Sequence, residues 1–168
     1  TTASYNTVVG NNAAGANTTG TRNVAVGVQA LDANTTGSCN TAIGMDAMSS
    51  NTTGYSNAAV GYCAMYANTT GVNNAAFGMA ALESNTTGAY NTGFGWNTFA
   101  ANTTGNSNTY IGTWAGYQKT SGEQNTTVGY NSMYASGASS FNVAIGSSGQ
   151  SGNTTGGYNT SLGHQSLA

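Results

Sequence analysis

The sequence has no proline, a single histidine and six charged side chains among its 168 residues. Charged residues make up 4% of the chain, against about 25% in an ordinary soluble domain. With two basic residues and a net charge of −2, no surface can neutralise a row of phosphates, so nucleic acid and anionic membrane are poor partners. No run reaches the roughly 18 apolar residues of a membrane-spanning helix, and no signal peptide is visible at Thr1. The lone His164 leaves no histidine pair for a metal and little basis for a Ser-His-Asp site. Abundant Asn, Thr, Ser and Gly with so little charge would suit a disordered chain. A strict repeat argues otherwise.

The repeat is Asn-x-x-x-Gly, running from Asn6 to Gly10 and returning at Asn23, Asn40, Asn57, Asn74, Asn91, Asn108, Asn125, Asn142 and Asn159. Every step is 17 residues. A second block, Asn-Thr-Thr-Gly, keeps the same phase at Asn17, Asn34, Asn51, Asn68, Asn85, Asn102 and Asn153. An uninterrupted period of this kind is the mark of a stacked-repeat protein. The expected fold is all-β: a β-solenoid, or parallel β-roll, of about ten 17-residue coils forming one repeat domain over residues 1–168. A helical repeat needs about 33 residues or more, whereas two strands of about five residues and two corners fit the unit. Thr1-Thr2 match the Thr-Thr of the block and Ala168 falls two residues short of the next Asn. The stretch is therefore expected to come from a longer array or a mature subunit.

Take residues 40–54 as the type coil. The column of Ile43 is large and apolar in all ten coils (Val9, Val26, Ile43, Val60, Phe77, Phe94, Ile111, Val128, Ile145, Leu162). Strand alternation and periodicity assign it to the interior. The mostly small Ala42 column then faces outward, toward a close neighbour. Met48 and its equivalents should close a thin core opposite Ile43, and Gly54 should supply a positive φ at the corner. The ten asparagines from Asn6 to Asn159 should form a structural ladder of stacked amides, each donating to one neighbour and accepting from the other. In the coils around Lys119-Thr120-Ser121-Gly122 and Ser136-Gly137-Ala138-Ser139 the second block decays while the period survives.

These motifs, Asn40-Thr41-Ala42-Ile43-Gly44 with Ala47-Met48 and Asn51-Thr52-Thr53-Gly54, resemble the repeats of phage tail-fibre proteins and bacterial surface fibres. The Asn-x-Ala-(Val/Ile)-Gly core is also similar to the head repeats of trimeric autotransporter adhesins. That resemblance spans the whole chain and implies left-handed parallel β-rolls, three side by side. The coil length departs from it, because adhesin-head coils are commonly shorter.

Site chemistry is sparse. Asp32 and Glu83 share a column three coils apart, so about 14 Å by strand spacing, and Asp32 and Asp46 are about 10 Å apart or more. Glycosidase carboxyls sit about 5–9.5 Å apart, and calcium-binding rolls need Asp in every turn. No catalytic residue, metal or cofactor is expected, and no enzyme. Cys39 and Cys63 lie 24 residues apart at different repeat positions, so stacked coils are not expected to bring them within disulfide reach unless the rod bends. Aromatics fall into columns: Tyr62, Trp96 and Tyr130; Tyr66, Tyr117 and Tyr134; Tyr5, Tyr90, Phe141 and Tyr158. Facing outward, they would suit stacking on glycan or on a partner protein. The Asn-Thr-Thr blocks at Asn17, Asn34, Asn51, Asn68, Asn85, Asn102 and Asn153 are also glycosylation sequons, with further matches at Asn125 and Asn159.

Three functions remain in view. A structural extracellular fibre segment comes first: a tail fibre, adhesin shaft or self-assembling filament on a cell surface or virion, partnered by itself as a homotrimer or end to end. A module binding cell-surface glycan through its aromatic columns is the second. An ice-binding solenoid is the third, weakened because Thr52 and Thr53 are adjacent and alternation would turn them apart.

Overall fold

The computed structural model describes residues 3–167; Thr1, Thr2 and Ala168, on which the matching of the chain's ends to the repeat rests, lie outside the described residues. Ten three-residue strands occur once per repeat: β1 (Thr7–Val9), β2 (Val24–Val26), β3 (Thr41–Ile43), β4 (Ala58–Val60), β5 (Ala75–Phe77), β6 (Thr92–Phe94), β7 (Thr109–Ile111), β8 (Thr126–Val128), β9 (Val143–Ile145) and β10 (Thr160–Leu162). They form one parallel sheet in sequence order. Each residue pairs with its equivalent one repeat later, as in Thr41↔Ala58, Ala42↔Ala59 and Ile43↔Val60. The register never slips, so the protein is a parallel β-solenoid in which one repeat makes one coil.

The second side of the coil is not a strand, contrary to the two-strand expectation. It is a run of turns: Ala47 N–H donates to Gly44 C=O, Ser49 to Asp46 and Asn51 to Met48. These turns stack as a strand would, with Met48 N–H donating to Ala64 C=O at 3.0 Å and Asp46 N–H to Val28 C=O at 2.9 Å. The geometry requires left-handed backbone at three positions per coil, here Cys39 (φ 60), Asp46 (φ 58) and Met48 (φ 52). Non-glycine residues adopt this region uncommonly, and β-branched ones almost never. Accordingly no Val, Ile or Thr stands in any of those three columns in any coil.

Two glycine columns have different reasons to exist. Gly44 has φ 133, and a Cβ there would lie 2.4 Å from the Gly61 carbonyl oxygen. Gly54, expected to have positive φ, does not. It is glycine because a Cβ would meet Asn51 Oδ1 at 2.4 Å and the Gly71 carbonyl at 2.5 Å. Close approach of the ladder amides and of the next coil's backbone, not handedness, sets that corner.

The interior is the reverse of the sequence expectation. Ala25, Ala42, Ala59, Ala76, Tyr110 and Ala144 are fully buried, while Ile43 is 39% exposed, Phe94 57% and Leu162 78%. From β2 to β10 the middle residue of each strand is buried and its two neighbours are partly or fully exposed. A coil of 17 residues is thin, and its inner space is already taken by Met48-type and Ala47-type residues and by two asparagines. Only a small side chain fits opposite a large one, Ala in most coils and Thr127 opposite Met133. The column opposite does close the core as expected, with Leu31, Met48, Met65, Leu82, Phe99 and Met133 all buried.

Where the methyl column changes, its partner changes with it. Gly93 makes room for Leu82 from the coil below, whose Cδ1 would lie 2.2 Å from a Cβ at Gly93. Tyr110 replaces Ala in the next coil, and the Met48-type position there is Gly116, where a Cβ would lie 2.4 Å from the tyrosine ring. Tyr110 stacks on Phe99 with centroids 4.3 Å apart. Volume per layer is conserved while identity is not, as close packing demands.

Candidate functional site

Both asparagine columns are interior. Asn40 Nδ2 donates to Gly54 C=O at 2.8 Å, and its Oδ1 accepts Asn57 N–H at 3.0 Å and Asn57 Nδ2 at 3.2 Å. The expected ladder therefore forms, with each amide tied to the coil beyond. Asn51 belongs to a second ladder: its Nδ2 donates to Asn34 Oδ1 at 2.9 Å and to Gly54 C=O at 3.1 Å. One glycine carbonyl per coil thus accepts from both ladders. The same pattern holds at Gly37 (Asn23 and Asn34) and at Gly71 (Asn57 and Asn68).

This placement bears on the sequons. Asn34, Asn51, Asn68, Asn85 and Asn102 are fully buried, and Asn17 and Asn153 are half-buried. The nitrogen that a glycan would occupy is a ladder donor in each of the buried five. Asn125, a further sequon, is buried in the first ladder. The neighbouring Thr52 hydroxyl is also committed inward, donating to Thr69 C=O at 3.1 Å. In the neighbouring column Thr19, Thr36, Thr53, Thr70, Thr87 and Thr104 are exposed.

Lys119 stands where the second ladder would have its seventh asparagine, and Ser136 where it would have its eighth. The lysine is fully buried. Its ammonium reaches into the next coil and donates to Ser139 C=O, to Ser139 Oγ at 3.1 Å and to Gly137 C=O at 3.4 Å. One long side chain thus stands in for two lost amides. Burial without a carboxylate partner lowers its pKa from the ordinary 10.5 to about 8, because desolvation disfavours the charged form. In the same region burial pushes the Tyr110 phenol well above its ordinary value. That hydroxyl lies beside Thr127 yet makes no hydrogen bond of good geometry. Thr127 Oγ1 instead sits 2.9 Å from the sulfur of Met133.

The outer surface carries the apolar groups. On the sheet face, Val9, Ile43, Phe94, Ile111, Ile145 and Leu162 are exposed, and Phe77 stacks on Phe94 at 5.7 Å. Two residues further along each coil, Val28, Met45, Tyr62, Met79, Trp96 and Tyr130 form a parallel exposed column. Tyr62, Trp96 and Tyr130 are thus outward as expected, but they do not touch one another in sequence order. Trp114, which the sequence reading did not single out, links two of them: its ring lies 5.4 Å from Trp96 and 5.6 Å from Tyr130. Its neighbour relation was visible in principle, since it lies one coil plus one residue beyond Trp96. Tyr117 and Tyr134 stack at 5.4 Å, whereas Tyr66 stands three coils from Tyr117 and belongs to a separate spot. Phe141 and Tyr158 lie nearly parallel at 4.8 Å on the remaining edge.

No cluster of three or more His, Cys, Asp or Glu that could hold a metal ion occurs among the described residues. Cys39 and Cys63 are both free thiols. No helix among the described residues is long and apolar enough to cross a membrane. Comparison with protein-family models, curated proteins and solved structures finds no match.

Proposed function

We propose that the chain is a rigid segment of an extracellular fibre, on a cell surface or virion, that associates with copies of itself and performs no catalysis. The supporting observation is the outer face of the sheet. Ten parallel strands present an apolar residue at one outward position in every coil, with no charged residue anywhere in the ten strands. At strand spacing the strip is about 45 Å long. Contiguous apolar patches beyond a few hundred Å² mark interaction sites. A partner suited to this strip must be uncharged and repeat at the same interval, and a second copy does both. Three rolls packed on these faces, each left-handed, would reproduce the arrangement that the adhesin-head resemblance implies. In that arrangement the Ile43 column, not the Ala42 column, is the contact.

Sedimentation equilibrium tests the reading. The wild-type chain should sediment as a multiple of its 16.7 kDa mass, with a trimer expected. The double variant Phe94→Lys with Ile111→Lys should be monomeric with an unchanged circular-dichroism spectrum. A wild-type monomer at high micromolar concentration would remove self-association from the account.

A further inference from the structure

The column holding Tyr66, Glu83, Ala100, Tyr117 and Tyr134 lies on the turn side of the coil, away from the apolar sheet face. Between Tyr66 and Tyr134 it is bulky except at Ala100, which is 4% exposed and forms the floor of a notch. The notch has a volume of about 210 Å³, and Glu83, Ser84, Ala100, Ala101, Tyr117 and Gln118 line it.

We propose that the notch over Ala100 is a binding site for a single pyranose ring, the terminal or side-chain sugar of a glycan. Glu83 and Tyr117 are two coils apart, so about 10 Å separates their levels. One face of Tyr117 is covered by Tyr134, stacked at 5.4 Å and 25°. The other face looks down the column toward Ala100, which has no side chain long enough to cover it. A sugar ring laid on that face would put its C–H side against the tyrosine and its hydroxyls toward Glu83, Ser84 and Gln118. An ionised carboxylate accepts two hydroxyl protons, and an amide and a hydroxyl both donate and accept. Sites with an apolar platform and a few convergent polar groups hold small ligands in this way. At about 210 Å³ the notch is below the range of roughly 300–1,000 Å³ typical for drug-sized ligands, which restricts it to one ring. The floor is fixed in advance by backbone bonds between coils: Ser84 N–H to Ala100 C=O at 2.9 Å, Ala101 N–H to Tyr117 C=O at 3.1 Å and Gln118 N–H to Tyr134 C=O at 2.8 Å. This site goes beyond the fibre reading and does not depend on self-association, since it uses a different face.

Saturation-transfer NMR on the full chain tests it, with methyl β-glucopyranoside, methyl β-galactopyranoside and methyl α-mannopyranoside as probes and choline as the cationic control. At least one pyranoside should receive saturation, strongest at the ring C–H protons of one face. Tyr117→Ala should reduce that transfer about fivefold, the loss of one aromatic stacking contact. Ala100→Tyr should reduce it as much by filling the notch, and it extends a column that already accepts tyrosine at three coils. Trp96→Ala, on the other face, should leave it unchanged. Amide-proton dispersion confirms that each variant is folded. The proposal is overturned if no pyranoside receives saturation, if transfer survives both Tyr117→Ala and Ala100→Tyr, or if choline alone binds.

Discussion

Coils two to six and coils seven to nine share one backbone and differ in how they fill it. In the first group each layer holds an Ala or Gly opposite a Leu, Met or Phe, with two asparagines sharing a glycine carbonyl. In the second group Tyr110 and Gly116 exchange sizes, and Lys119 reaches across a coil that has Ser136 in place of Asn. The strands β7, β8 and β9 nevertheless pair in unbroken register. The comparison teaches that the period is kept by backbone ladders and by constant layer volume, and that the second asparagine ladder is one of several ways to satisfy the inner carbonyls.

The largest effect should come from upsetting the volume exchange. Tyr110→Ala opens a cavity beside Gly116 and should cost about 3–5 kcal/mol in urea unfolding. Combining it with Gly116→Met rebuilds the layer of the regular coils and should recover most of that loss. A double variant no more stable than the single would break the volume argument.

Next come the amides. Asn68→Ala removes the donor to Asn51 Oδ1 at 2.8 Å and the acceptor of Asn85 Nδ2 at 2.9 Å, and should cost about 2–3 kcal/mol because buried groups lose partners. Ser136→Ala removes one bond, to Met133 C=O at 2.9 Å, and should cost about 1 kcal/mol. Equal losses at the two sites would mean that the regular and irregular coils do not differ in the way described.

A smaller, pH-dependent effect belongs to Lys119. Its pKa is about 8 when folded against an ordinary 10.5. Below pH 8 both folded and unfolded chains hold the proton, and the cost of the buried charge is present in full. Between pH 8 and about 10 the unfolded chain keeps a proton that the folded chain has released, so stability rises with pH. Tyr110, whose pKa burial raises, acts in the opposite sense above about pH 10, where the unfolded chain ionises first. Thermal melting should therefore climb between pH 8 and 10 and then fall, and Lys119→Asn should flatten the climb. A climb of the same height in that variant would show that Lys119 is not its source.

The smallest effect tests the left-handed columns. Ser56, exposed at φ 56, should gain up to about 1 kcal/mol as Gly, and lose about 1–2 kcal/mol as Val, in thermal or urea melts. A neutral Ser56→Val would contradict the steric reading of why β-branched residues are missing there.

Much of this fold could be read from the sequence, because a fixed 17-residue step leaves few alternatives to a stacked coil. The inside and the outside could not be read in the same way. Ile43 is larger and more apolar than Ala42, and the usual rule sends the larger residue inward. That rule fails where the enclosed space is too narrow for two large residues to meet. The compensating pairs Gly93 with Leu82 and Tyr110 with Gly116 show in the sequence as changes of size in two columns, and they point to Ala42 as the inner position. The left-handed positions also left a signal in the absence of Val, Ile and Thr. The outward aromatics were found by column, but Trp114 and the notch over Ala100 depend on neighbours from adjoining columns and coils. A reading along single columns passes over such pairs.

The asparagine ladders give the rod a direction. Along both, the side-chain oxygen of one coil accepts from the coil that follows it, so the amide dipoles add instead of cancelling. A protein with six charged residues therefore still has electrically unlike tips, and its polarity grows with the number of turns. Two such rods lying side by side attract more when they point in opposite directions than when they point the same way, so any bundle that aligns them must draw its cohesion from the apolar faces between them.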